Sequence, residues 1–148
     1  MKLTKIYCRT PAGESFVLIK FQEGKEALFD RYNPQLSHLS EIISLYGISL
    51  SALFKAYEDN IPIKVGGEVK LVSAENILSA FSELMKENKI SRAELARRMG
   101  VDKTYLSSLF SQRYSTDLRM YTIKRISGAL GFKLSQVFLL AEKISLSI

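Results

Sequence analysis

Residues 91–110, SRAELARRMGVDKTYLSSLF, decide how this chain is read. Two short helices crossing at roughly 90–120° need a small residue where their backbones approach and a turn residue at ease with positive φ. The second helix also needs an apolar stripe to pack on the first. Ala96 and Gly100 meet the first two needs, and Val101, Leu106 and Leu109 supply the stripe. Ser91, with Glu94 three residues on, predicts a capping box for the first helix, and Asp102 predicts a cap for the second. With its apolar side turned inward, the second helix leaves Lys103, Thr104, Ser107 and Ser108 outside. Short donors and acceptors with one cation suit groove edges and phosphates.

The flanking sequence extends this pair into a helical unit. Ser73 predicts the cap of a helix with Ile77, Leu78, Phe81, Leu84 and Met85 on one stripe, ended by Asn88 and Lys89. A fourth helix is expected after a cap at Ser115 or Thr116, with Leu118, Ile123, Ile126 and Leu130 inward and Gly131 as terminator. Ser135 opens a fifth through Val137, Phe138, Leu140 and Ala141. Five short helices joined by short loops predict a compact all-α domain.

Over about residues 73–139 the sequence resembles the Cro and phage-repressor (XRE-like) helix-turn-helix family, the lambda-repressor-like DNA-binding domain. Residues 90–100 are similar to its second helix and turn. Ser108-Leu109-Phe110 resembles the apolar end of its recognition helix. Ile126-Ser127-Gly128-Ala129-Leu130-Gly131, then Leu134-Ser135, resembles its fourth helix and exit. The resemblance implies that Lys103 and Thr104 meet base edges in the major groove, with Ser107 one turn on and Ser108 on the same free face. It implies that Arg92 contacts DNA, either pairing with a guanine or, the reading favoured, gripping the backbone, and that Arg113 and Tyr114 reach flanking phosphates. Tyr105 is open between DNA and a seat against Arg92. Arg97, Arg98 and Arg119 are open between electrostatic support and ordinary surface charge. Where many relatives have Glu-x-Gly after the recognition helix, this chain has Ser111-Gln112-Arg113-Tyr114.

Charge agrees with that reading. The 148 residues carry a net +6. Residues 1–72 hold 9 Lys/Arg against 8 Asp/Glu, residues 73–148 hold 12 against 7, and residues 89–125 alone hold 9 against 3. A basic concentration of this kind fits a polyanion, although a solvated basic face carries the same counts. At 47% hydrophobic and 24% charged the chain reads as globular. Its longest apolar runs are far too short for a bilayer, and no signal peptide is read at the start. One cysteine, Cys8, fits a reducing cytoplasm. His38 is the single histidine, so no metal set, cofactor site or nucleophile with its base is expected.

Residues 1–72 are less legible. Residues 3–9 and 15–22, parted by Thr10-Pro11-Ala12-Gly13-Glu14, read as a hairpin, and 25–32 as strand or short helix. Residues 61–72, with Gly66-Gly67 in the middle, read as a second hairpin or a linker. Gly47-Ile48-x4-Leu53 repeats the spacing of Gly100-Val101-x4-Leu106. Residues 39–58 therefore form a possible second helix-turn-helix-like pair. Its outward face, Ser49, Leu50, Ser51 and Ala52, has no cation and an exposed leucine, which suits a packed helical hairpin better than DNA.

The expectation is a mostly α protein with a boundary near residue 72. A small α+β N-terminal module (1–72) serves dimerisation or partner binding and precedes a five-helix lambda-repressor-like DNA-binding domain (73–148). The function expected is a cytoplasmic, sequence-specific regulator of double-stranded DNA: a repressor acting as a homodimer on a palindromic operator. The alternative is an antitoxin that binds its toxin through residues 1–72 and regulates its own promoter. A ligand or host factor acting through residues 1–72 is a third reading. An enzyme is not expected.

Overall fold

The computed structural model describes residues 5–9, 15–20, 34–59, 61–111 and 117–146. Among them the chain is mostly helical, with seven helices and three short strands. Strand β1 (Lys5–Arg9) pairs antiparallel with β2 (Ser15–Lys20), with a register shift between Ile6 and Tyr7. It pairs in parallel with the two-residue β3 (Ile63–Lys64). Residues 61–72 therefore do not fold back on themselves. Their glycines turn elsewhere: the amides of Gly66 and Gly67 donate to the carbonyls of Tyr46 and Gly47 at 2.9 and 3.0 Å.

Helices α1 (Leu36–Ser44) and α2 (Leu50–Asp59) precede β3, and α3 (Ala74–Glu87), α4 (Arg92–Met99), α5 (Lys103–Phe110), α6 (Met120–Leu130) and α7 (Leu134–Leu146) follow it. Helix α3 starts at a full capping box, in which the Ser73 hydroxyl accepts from the Asn76 amide and the Asn76 side chain accepts from the Ser73 amide. Its stripe, Ile77, Leu78, Phe81, Leu84 and Met85, is buried. Helices α4 and α6 end alike, at Gly100 (φ 69°) and Gly131 (φ 82°). The next amides, Val101 and Phe132, donate back to Ala96 and Ser127, each at 3.0 Å, which satisfies carbonyls that a helix end leaves open.

The start of α6 departs from expectation. Ser115 and Thr116 lie outside the described residues, and the residue preceding the helix is Arg119, which makes no side-chain cap bond. Backbone pairing takes that role. Gln35 and Arg119 form an antiparallel bridge, the Leu36 amide donates to Leu118 at 2.7 Å, and the Met120 amide donates to Pro34 at 2.9 Å. An otherwise unpaired first-turn amide is thereby satisfied.

One hydrophobic core runs from Leu36 to Ala141, with α7 lying between α2 and α3. The Phe54 and Phe138 rings stack at 5.2 Å, 9° from parallel, both fully buried. On either side of them each helix supplies a carboxylate to the start of the other. Glu142 accepts from the Ser51 amide (3.2 Å) and hydroxyl (2.7 Å), while Glu58 accepts from the Ser135 amide (3.0 Å) and hydroxyl. Buried carboxylates need such donors, and helix N-termini favour them. Leu50, expected outside, is buried, because this face of α2 turns toward α7. The core thus crosses residue 72.

Candidate nucleic-acid interface

The pair α4–α5 is fixed by few contacts. Ala96 (buried) lets the helices approach, while Leu106 (0% exposed) and Phe110 anchor α5 from within. Leu109 and Val101 pack at the edge of the core. At the N-terminus of α5 the Asp102 carboxylate accepts from the Thr104 amide at 3.2 Å. A negative charge there disfavours a phosphate at this end, so side chains on the flank of α5 are what it offers.

That flank is open. Lys103, Thr104, Tyr105 and Ser108 are exposed, and Ser107 is half-buried beside them. Tyr105, at 46% exposure, is among the large hydrophobic side chains that the described residues leave in solvent. Arg92 does not meet it. The Arg92 guanidinium lies 5.3 Å from the centre of the Phe110 ring, at the opposite end of α5 from Lys103. Such a contact contributes on the order of 0.5–1 kcal/mol at an exposed site and fixes where the charge stands. Eight residues make a rod about 12 Å long with one cation near each end, and its diameter of about 10–12 Å with side chains suits the roughly 12 Å width of a B-form major groove. Arg113 and Tyr114 lie outside the described residues.

The other basic residues of this segment are engaged within the fold. The Glu94 carboxylate takes Arg97 at 2.6 Å and Arg98 at 3.0 Å, one helical turn on. These guanidinium hydrogen bonds hold the Glu94 carboxyl down to about 2. They also explain why the capping box at Ser91 is only half formed. The Ser91 hydroxyl accepts from the Glu94 amide at 3.1 Å, and the carboxylate is drawn along the helix instead of back. Arg98 also donates to the Ala129 carbonyl at 3.1 Å, and Arg125 donates to Met99 at 2.7 Å, which ties the end of α4 to α6. Cations at a helix C-terminus are favourable. The spacing of Glu94, Arg97 and Arg98 carries this signal locally. Arg125 acts 26 residues away from its acceptor and has no such signal.

Residues 81–137 match the family model described as Helix-turn-helix, from the middle of α3 into α7. This segment is a helix-turn-helix. It makes the chain a candidate DNA-binding regulator, as the resemblance to the Cro type implies. The chain is also similar to Antitoxin HicB 1 of Photorhabdus laumondii subsp. laumondii, 32% identical over 97 residues. That stretch covers 60% of this chain, and the chain spans 61% of the length of that relative. No solved structure matches the chain. Among the described residues no helix is long and apolar enough to cross a membrane, and no three His, Cys, Asp or Glu side chains gather as a metal site.

Proposed function

We propose that this protein is a sequence-specific repressor of transcription in the cytoplasm, which binds double-stranded DNA as a dimer on a palindromic operator. The supporting observation is the open flank of α5. Its polar side chains face solvent while the rest of the helix-turn-helix is tied down by Glu94, Arg98 and Arg125. Helix α5 enters the major groove, where Lys103, Thr104, Tyr105 and Ser108 read base edges and Ser107 contributes at the margin. Arg92, steadied on Phe110, grips the phosphate rail with the start of α4. Arg113 and Tyr114 take flanking phosphates. One small domain buries little DNA, so two half-sites about 34–36 Å apart supply the affinity.

The test is a duplex selected from a random pool by the native protein. Lys103→Ala combined with Thr104→Ala is expected to lose at least about tenfold in specific affinity, since each good base contact is worth about 1–3 kcal/mol. The melting temperature should stay within a degree or two, since both side chains are exposed. Unchanged binding to the selected duplex would end the assignment.

A second reading, an antitoxin that neutralises a toxin through residues 1–72 and represses its own promoter, is favoured by the named relative. Sixty per cent of 148 residues is about 89, or 32 more than the 57 in the helix-turn-helix match. Only 11 residues follow residue 137. A continuous likeness of that length therefore reaches at least about 21 residues upstream of residue 81. Growth arrest by an adjacent small reading frame, relieved by this chain, would support the antitoxin reading. An adjacent frame without effect on growth would remove it.

A further inference from the structure

The α2–α7 seam has an internal symmetry. Residues 50–58 read LSALFKAYE and residues 134–142 read LSQVFLLAE, with Leu, Ser, Phe and Glu in the same places 84 positions apart. The same shift carries Gly47 onto Gly131, both left-handed, and the amide after each donates back to the preceding helix, Ile48 to Ile43 and Phe132 to Ser127. It carries the Leu36 amide, bonded to Leu118, onto the Met120 amide, bonded to Pro34. Under this exchange the contacts of the seam map onto one another: Ser51–Glu142 becomes Ser135–Glu58, and the Phe54–Phe138 stack and the Gln35–Arg119 bridge map onto themselves. The cavity of about 310 Å³ outside the seam has the same pairing, with Ser51 and Ser135, Ala52 and Gln136, and Lys55 and Leu139 around it.

We propose that the α1–α2 hairpin is an internal counterpart of α6–α7, and that it fills a self-complementary docking face on α7 which a second copy of the chain would otherwise fit. Helix α7 holds both halves of the contact, Ser135 near its start and Glu142 just under two turns on, with Phe138 midway. Two such helices related by a two-fold axis make both carboxylate–serine contacts and the ring stack, as a closed symmetric interface requires. The tethered hairpin competes at an effective concentration on the order of 1 mM. A second chain at micromolar concentration is about a thousandfold too dilute to displace it. The dimer of the proposed function therefore assembles through other surfaces, and one chain presents one recognition helix per seam.

Thiol cross-linking of the full chain, with Cys8→Ser as background, tests this. Ala52 and Gln136 are exposed and line one cavity. With a short bifunctional reagent, Ala52→Cys plus Gln136→Cys is expected to cross-link within one chain, keeping monomer mass on a denaturing gel and joining peptides from α2 and α7. Gln136→Cys alone is expected to give no covalent dimer. A covalent dimer of that single variant would mean that α7 meets α7 of another copy and would overturn the proposal. Covalent dimers formed only by the double variant would mean exchanged hairpins, and no cross-link at all would mean separated helices; either result overturns it too. None of these readouts involves DNA, so the reading of α5 stands or falls separately.

Discussion

Two helix pairs in this chain turn on a left-handed glycine at nearly the same angle, Gly47 at 68° and Gly100 at 69°. After Gly47, helix α2 lays Leu50, Leu53 and Phe54 into the core and gives the polar groups of Ser51 to Glu142. After Gly100, helix α5 buries only Leu106 and Phe110 and leaves Lys103, Thr104, Tyr105 and Ser108 to solvent. The difference lies in a third element. Helix α7 covers α2, and none of the described residues covers the flank of α5. A turn of this geometry is therefore common to both pairs, and what sets α5 apart is the uncovered polar flank on which the proposed DNA contact rests.

The largest effect expected is at the covered pair. Phe54→Ala and Phe138→Ala each remove half of the ring stack from a fully buried site. Such truncations cost about 3–5 kcal/mol, which lowers the melting temperature of a chain this size by roughly 6–20 °C. The exchange of contacts across the stack predicts similar losses. Losses differing several-fold in denaturant titrations would show that the two helices are not equivalent partners. The double substitution at Lys103 and Thr104 is the converse, expected to cost at least about tenfold in specific affinity while leaving stability in place.

The two glycines sharpen the contrast on a smaller scale. A Cβ at Gly100 meets nothing within 4 Å, so Gly100→Ala carries only the left-handed backbone cost of about 1–2 kcal/mol. A Cβ at Gly47 would stand 2.8 Å from Gly66 Cα and 2.9 Å from its nitrogen, backbone atoms that cannot swing aside. Gly47→Ala should therefore be the more destabilising of the two by thermal melting. Equal losses would show that the close approach between residues 47 and 66 is not held in solution.

The helix-turn-helix was legible because its determinants are local. Ala96, Gly100, Asp102 and the apolar spacing of α3 through α7 act within a turn or two of where they stand. What was not legible depends on distance. The echo of Gly100 at Gly47 was visible, but the stronger correspondence is with Gly131, and what reveals it is pairing between residues 77 to 91 positions apart. The same holds for α6, whose expected hydroxyl cap is replaced by backbone bonds to Pro34 and Leu36. Leu50 looked exposed only because the covering helix comes 84 residues later. On the interface itself, Arg92 could not be seated from sequence, since its platform Phe110 lies across the turn.

The smallest effect concerns Glu94, which restrains the arginines next to α5. Its carboxyl is held down to about 2 from an ordinary 4.5, first by the hydrogen bond from Arg97 and then by that from Arg98. A depressed carboxyl stabilises the fold above its unfolded value and loses that contribution as protons bind. The stabilisation is therefore complete above about 4.5 and fades as pH falls toward 2. Both arginines are well exposed, so salt and water screen the pair and the amplitude is small. Glu94→Gln should flatten the slope of stability against pH in that window and free Arg97 for phosphate. Non-specific DNA affinity at low salt should then rise slightly, with a steeper salt dependence. An unchanged acid limb in the variant would show that the Glu94 cluster holds nothing in solution, and that the calm rear of α4 comes from Arg98 and Arg125 on their carbonyls alone.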